Sequence, residues 1–354
     1  MKLPTDIGVF QAIEYETKWG WAGVDLFFVL SGYLVGGLLL REFRETGRIE
    51  VKRFLVRRGL KIWPAYYTFI CAQVLFGRHP LDTFFLQNLF HLQNYLGSSI
   101  LHTWTLSLEE HFYLILSMAL GFMVVRGFTI QKIMRVFAAT IITVIIVRCI
   151  TVAMGWPGAA QYTHNRLDAL LTGVVLTAAQ QFFPREFSNI SRAKWILVSM
   201  LMAVILFLHL VPPKHPLMYS IGFTLVYIGS SCFLLLALSQ SAITKNQTWY
   251  RIVAVIGWYS YGIYLWHNTV REPCLSLAKH LPFALQWPAA LVLQYSAAIL
   301  LGALTTRLIE WPVLRLRDRL FPGKRAEMAT VLSGAKGHGS ASSAAGSPTP
   351  ALGG

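Results

Sequence analysis

Long apolar runs, broken at intervals by short polar and basic stretches, set the pattern of this chain. Roughly 17 to 25 mainly apolar residues cross a bilayer as an α-helix. Nine windows have that character: 24–40, 62–78, 104–125, 136–154, 167–183, 195–211, 217–240, 252–270 and 287–306. The pattern therefore predicts an all-α fold, a polytopic transmembrane helical bundle of about nine spans over residues 24–320. Between the second and third windows, "LDTFFLQNLFHLQNYLGSS" is apolar but too interrupted to span, so it is expected to lie along the interface or to re-enter. Residues 1–23 form a short segment ahead of the first window. Residues 321–354, rich in Ala, Gly, Ser and Pro with no periodic face, are expected to be a disordered tail.

Composition agrees with a membrane protein: 55% of the 354 residues are hydrophobic and 13% charged, too apolar for an ordinary soluble domain. The net charge of +15 suits nucleic acid, an anionic surface or membrane topology, and its distribution decides for topology. Residues 41–61 hold eight Lys and Arg, and 126–135, 184–194, 241–251 and 307–325 hold three, three, two and six, against about seven in the alternate segments. The basic segments are thus expected to be cytoplasmic, with the C-terminus inside and residues 1–23 outside, in a bacterial-type inner membrane. No cleavable signal peptide is visible. An outside N-terminus without a preceding span is an incomplete topology, and a missing first helix would bring ten spans with both termini inside. The four cysteines lack metal-ligand or paired spacing and read as small core residues, so no metal is expected.

Ionisable groups within spans are costly, and those present are functional candidates. Asp25, Glu109 and Glu110, Arg166 and Asp168, and His267 fall at the outer ends of their helices in this orientation, as do nine of the ten histidines. In "HTWTLSLEEHFYLILSM", Thr105 or Ser107 can cap a helix with Glu109 or Glu110 in its first turn. Alternatively, the two carboxylates beside His111 supply a general base or an orienting group. On the opposite side, "VKRFLVRRGLKIWPAYY" places Arg57, Arg58 and Lys61 within about one turn, which suits a phosphate-bearing ligand or simply anchors the topology.

These stretches resemble the membrane-bound acyltransferase 3 family. "GVDLFFVLSGYL", "RRGLKIWPAYY" and "WTLSLEEHFYL" carry the resemblance, with weaker similarities in "HNRLDALLTG", "WYSYGIYLWH" and "RLIEWPVLRLR". The resemblance spans most of residues 20–320. It implies a ten-helix enzyme that takes an acyl group, usually acetyl from acetyl-CoA on the cytoplasmic side, and delivers it to a hydroxyl at or beyond the membrane. Two departures stand out. The family's proposed catalytic histidine lies on a helix upstream of the first motif, whereas the first histidine here is His79, so a truncated start or a substitute such as His102 or His111 is implied. Lys61 stands where the family's basic motif has a second arginine, keeping the charge but losing the bidentate fork.

The resemblance and the charge pattern together assign Arg58, helped by Arg57 and Lys61, to the phosphates of acyl-CoA, expected as acetyl-CoA. Asp25, Glu109, Arg166 and His267 are the expected catalytic set, with Arg166 pairing a carboxylate or stabilising charge on the acyl carbonyl, and Tyr261 and His267 lining the cavity. The acceptor is a glycan or other hydroxyl compound, with the bilayer as the other partner and no nucleic acid. The rival readings are a transporter or flippase that uses the intramembrane acids as a proton relay, and an inactive family member.

Overall fold

The computed structural model describes residues 20–76, 83–97, 100–156, 160–244 and 247–322, whose regular structure is helical, with no strand among them. After a 3₁₀ turn at Gly20–Ala22 come α1 (Gly23–Thr46), α2 (Val51–Leu75), the short α3 (Thr83–Leu89) and α4 (Gln93–Leu96), and α5 (Trp104–Val125). Next are α6 (Ile130–Ala153), α7 (Leu167–Phe182), α8 (Pro184–Arg192) and α9 (Lys194–Leu210). The chain continues through α10 (Phe223–Thr244), α11 (Thr248–Trp266), α12 (Arg271–Ala278), α13 (Phe283–Thr305) and α14 (Trp311–Leu320). The expected start of the disordered tail, 321–322, is described; residues 1–19 and 323–354 lie outside the described residues.

Each of the nine apolar windows falls on a helix, but fewer helices meet the demands of a full span. Among the described residues five are long and apolar enough, and a sixth forms if α8 and α9, bent by 67°, count as one. The shortfall has local causes. α2 carries Lys52, Arg53, Arg57, Arg58 and Lys61 in its first half, leaving a short apolar remainder. α7 has only 16 residues. The basic stretch 41–61 is therefore no loop: α1 and α2 run through it and leave only residues 47–50 as the turn, with Gly47 at φ 67° closing α1.

Where α1 and α7 cross, their backbones touch. A Cβ on Gly32 would lie 1.8 Å from the carbonyl oxygen of Leu170, and one on Gly173 2.1 Å from that of Val29. Small residues at such a crossing let two helices approach without side chains between them. Phe28, Val29, Val35, Leu39 and Leu40 of α1 then share one core with Leu108, Phe112 and Leu116 of α5 and with Leu170 and Val174 of α7.

The interrupted stretch before α5 folds back over the bundle. α3 and α4 meet at His91, which takes φ 54°, and Asn88, Gln93 and Asn94 are buried. The Tyr66 hydroxyl of α2 donates to Asn88 O at 3.1 Å, and Gln93 Nε2 donates to Thr103 O at 3.0 Å. Burial pushes the His91 imidazole down to about 4 and that of His102, just ahead of α5, to about 4 as well. The cysteines depart from the expected core role: only Cys232 is buried, while Cys71 is exposed.

Candidate active site

Two groups of polar side chains occupy opposite ends of α1, and a third lies between them. At the N-terminal end, Arg166 Nη2 donates to Asp25 Oδ1 at 2.9 Å, with both side chains buried. The guanidinium also lies 3.8 Å from the ring centroid of Phe223. Asp25 Oδ2 and Arg166 Nε and Nη1 are buried with no partner among the described residues. Beside them, Arg148 Nη1 donates to Asp168 Oδ2 at 2.7 Å and to Asn165 O at 2.9 Å, and Arg148 Nε donates to Ser220 O at 2.9 Å. The four charges neutralise one another, the condition on which buried ions are retained in an apolar interior.

Two turns further along α1, Ser31 donates to Glu109 Oε1, Tyr113 donates to the same oxygen at 2.8 Å, and the two hydroxyls lie 2.8 Å apart. Glu109 and Glu110 are not first-turn residues, because α5 starts at Trp104 with no side-chain cap, so neither serves the capping role. Glu110 turns toward α2 and accepts from Trp63 Nε1 at 3.1 Å. Of the adjacent carboxylates, only Glu109 reaches α1.

The group at the C-terminal end of α1 lines a cleft of about 440 Å³. Arg57, Arg58 and Lys61 line it together with Arg41, Arg53 and Arg317 and the acids Glu42 and Glu45. Arg57 pairs with Asp318 at 3.0 Å and donates to Phe321 O, and Arg53 donates to Pro322 O. Arg58 instead lies 5.4 Å above the Tyr113 ring and so joins the cleft to Glu109. Asp25 and Glu109, expected to act together, thus have different partners: Asp25 has Arg166, and Glu109 has Ser31 and Tyr113.

His267 belongs to an aromatic cluster beside α1. Its Nδ1 lies 2.6 Å from Tyr264 O, and its ring is 5.0 Å from that of His102. A carbonyl oxygen only accepts, so Nδ1 carries the proton and Nε2 of the neutral ring keeps its lone pair. Phe27 stacks on Tyr264 at 6.1 Å, placing this cluster against the stretch of α1 between Asp25 and Ser31. Tyr261 donates to Ile62 O at 3.0 Å, the residue after Lys61, and is a strut between α11 and α2.

Sequence reasoning missed Arg148, Ser31 and Tyr113. Arg148 was legible as a lone cation deep in "TVIIVRCITVA"; Ser31 and Tyr113 lie within "GVDLFFVLSGYL" and "WTLSLEEHFYL", but hydroxyls are common in apolar helices and nothing singled these two out.

The sequence profile of a family described as an acyltransferase domain matches residues 7–307. Over 346 residues the chain is 27% identical to the peptidoglycan O-acetyltransferase OatA of Listeria monocytogenes serovar 1/2a, covering 87% of this chain and 54% of that protein. It is 28% identical over 301 residues to the putative peptidoglycan O-acetyltransferase YrhL of Bacillus subtilis strain 168, covering 74% and 46%. With the O-acetyltransferase OatA of Staphylococcus aureus strain MRSA252 the identity is 25% over 344 residues, covering 88% and 56%. The chain spans about half the length of the curated relatives it matches. No solved structure matches it. Its apolar helices make it a multi-pass membrane protein. With the family's profile aligned over most of its length, the chain belongs to the acyltransferase 3 family.

Proposed function

We propose that this protein is an O-acyltransferase that moves an acyl group, in the first instance acetyl, from acyl-CoA to a hydroxyl of a glycan. The observation that carries the reading is the contact between Arg58 and Tyr113, which joins a cation-lined cleft to a buried carboxylate. Arg41, Arg53, Arg57, Arg58, Lys61 and Arg317 offer a polyphosphate a site rich in fixed N–H donors. The cleft faces the cytoplasm in this reading, because it gathers the basic residues that the positive-inside rule keeps there.

From Arg41 to Ser31 is about 15 Å along the helix axis, and to Asp25 about 24 Å. A donor bound by its phosphates in the cleft therefore sends its thioester inward past Glu109. There the acceptor O–H gives its proton to a base, the oxygen attacks the carbonyl carbon, the C–S bond breaks, and the leaving thiolate takes up the proton. Among the described histidines, His267 has an Nε2 lone pair suited to the base role. Arg166, with two N–H-bearing nitrogens that have no hydrogen-bond partner among the described residues, is suited to the developing oxyanion, and Asp25 holds it in place. Glu109 orients Ser31 and Tyr113 between the two ends.

The test is purified full-chain protein in proteoliposomes with labelled acetyl-CoA and glycan fragments. The expected result is label on the glycan, abolished by Glu109→Ala and by Arg166→Gln with the protein still folded. Absence of acyl-CoA binding, or undiminished transfer by both variants, would overturn the reading.

A further inference from the structure

A further set of aromatic side chains lies outside all three groups, at the same end of the bundle as Asp25 and Arg166. Tyr95 follows the buried α4 residues, and Tyr162 and His164 flank Thr163 in the turn that leads into α7. The rings of Tyr95 and Tyr162 are 5.2 Å apart and inclined by 6°; Tyr95 and His164 are 5.7 Å apart at 28°, and Tyr162 and His164 5.4 Å apart at 27°. Three nearly parallel rings stacked in a column would put the outer two at about twice the spacing of neighbours. Three nearly equal separations instead form a triangle, so no ring is sandwiched by the other two and the offset set keeps aromatic surface that its own members do not cover.

This surface is held rigidly. The His164 backbone N–H donates to the Tyr95 hydroxyl at 3.4 Å, and that hydroxyl lies 3.0 Å from His164 Nδ1. The Tyr95 oxygen accepts from the backbone and keeps both a hydrogen to give and a second lone pair, so it clasps Nδ1 in either imidazole tautomer. Burial lowers the His164 pKa, in keeping with a neutral ring. Thr163 Oγ1 is fixed by His111 Nδ1 at 2.8 Å and by Asn94 Nδ2 at 2.7 Å. Tyr95 is 41% exposed, so the surface is reachable.

We infer that Tyr95, Tyr162 and His164 form a carbohydrate-stacking platform that seats a pyranose ring of the acceptor beside Arg166. An aromatic face is electron-rich, and the C–H groups on one face of a pyranose ring carry the complementary partial charge, while the sugar's hydroxyls meet donors at the ring edges. The continuity of the chain fixes the register: His164 on the platform and Arg166 on Asp25 are two residues apart in one tight turn. The platform is thus two residues along the chain from Arg166, whose Nε and Nη1 have no hydrogen-bond partner among the described residues. Aromatic residues also gather at membrane interfaces against lipid headgroups, but such a belt needs neither parallel rings nor a hydroxyl–imidazole clasp. The inference rests on the proposed transfer to a glycan.

The experiment titrates the full-chain protein in detergent with the soluble β-1,4-linked tetramer of N-acetylglucosamine, read by saturation-transfer NMR, and in parallel with acetyl-CoA. Wild type binds the tetramer. Tyr162→Ala and Tyr95→Ala weaken that binding roughly five- to tenfold. Both keep wild-type melting temperature and acetyl-CoA affinity, and Tyr162→Trp restores glycan binding. Failure of wild type to bind the tetramer, or alanine variants that bind it as wild type does, overturns the platform. Loss confined to association with lipid vesicles also overturns it and marks a lipid anchor. The two readings fail separately, because absent acetyl-CoA binding sinks the transferase reading whatever the tetramer does.

Discussion

Arg148 meets Asp168 at 2.7 Å with both side chains wholly buried, across the interface of α6 and α7. Removing one partner leaves the other charged in an apolar interior. Arg148→Leu is expected to cost about 3–5 kcal/mol, whereas Arg148→Leu combined with Asp168→Leu recovers most of it. Thermal unfolding in detergent measures both, and a single variant as stable as wild type would show that the pair contributes little.

Backbone contact at the α1–α7 crossing makes a second, sharper test. Gly32→Ala puts a methyl carbon onto the Leu170 carbonyl oxygen, and main chain cannot turn aside as a side chain does. Loss of folded protein, or a drop of several degrees in melting temperature, is expected. Gly257→Ala in α11, where nothing lies within 4 Å, serves as the control and is expected to be neutral or slightly stabilising.

In the basic cleft the cations are not equivalent. Arg57 is engaged by Asp318 and Phe321, whereas Arg58 faces the Tyr113 ring. Arg58→Gln is expected to weaken acetyl-CoA binding roughly tenfold or more with little effect on folding. Arg57→Gln is expected also to loosen α14. Lys61→Arg restores a planar fork and is expected to tighten binding a few-fold. Equilibrium dialysis with labelled acetyl-CoA, repeated at raised salt, separates these outcomes.

Acid should destabilise the protein through His91. Its folded pKa of about 4 lies below the ordinary 6.5, so the folded state binds fewer protons than the unfolded one. Its contribution is complete above pH 6.5 and is lost as pH falls from there toward 4. The slope is at most about 1.4 kcal/mol per pH unit for this group. His91→Asn, which tolerates the positive φ, should flatten the dependence of melting temperature on pH across that window. An unchanged profile would assign the slope to other groups.

The helical class was legible because apolar residues repeat in long runs, though only five or six of the described helices reach the length of a span, and the cations of the cleft because five of them crowd into 41–61. What escaped was relation between helices. Asp25 and Glu109 looked alike as acids near helix starts, yet Asp25 lies on the second residue after Gly23 while Glu109 is more than a turn into α5. That difference puts them with different partners. Arg148 was hidden by topology counting, which weighs charges in loops and overlooks one inside a span. Cys71 looked like a core residue because an apolar run does not say whether its neighbours will be protein or lipid.

The glycine crossing also sets a length. Asp25 precedes Gly32 by seven residues, and Arg166 precedes Gly173 by seven. Seven residues are about two helical turns, or roughly 10 Å, on each of two helices that leave the site in the same direction. The crossing therefore acts as a pivot with arms of equal length, and the ion pair closes the figure at the far end. Sliding one helix along the other by a single turn would part the charges by about 5 Å and drive main chain into main chain. The width of the gap that Asp25 and Arg166 bridge is fixed by two missing methyl groups, not by the conformations of the charged side chains themselves.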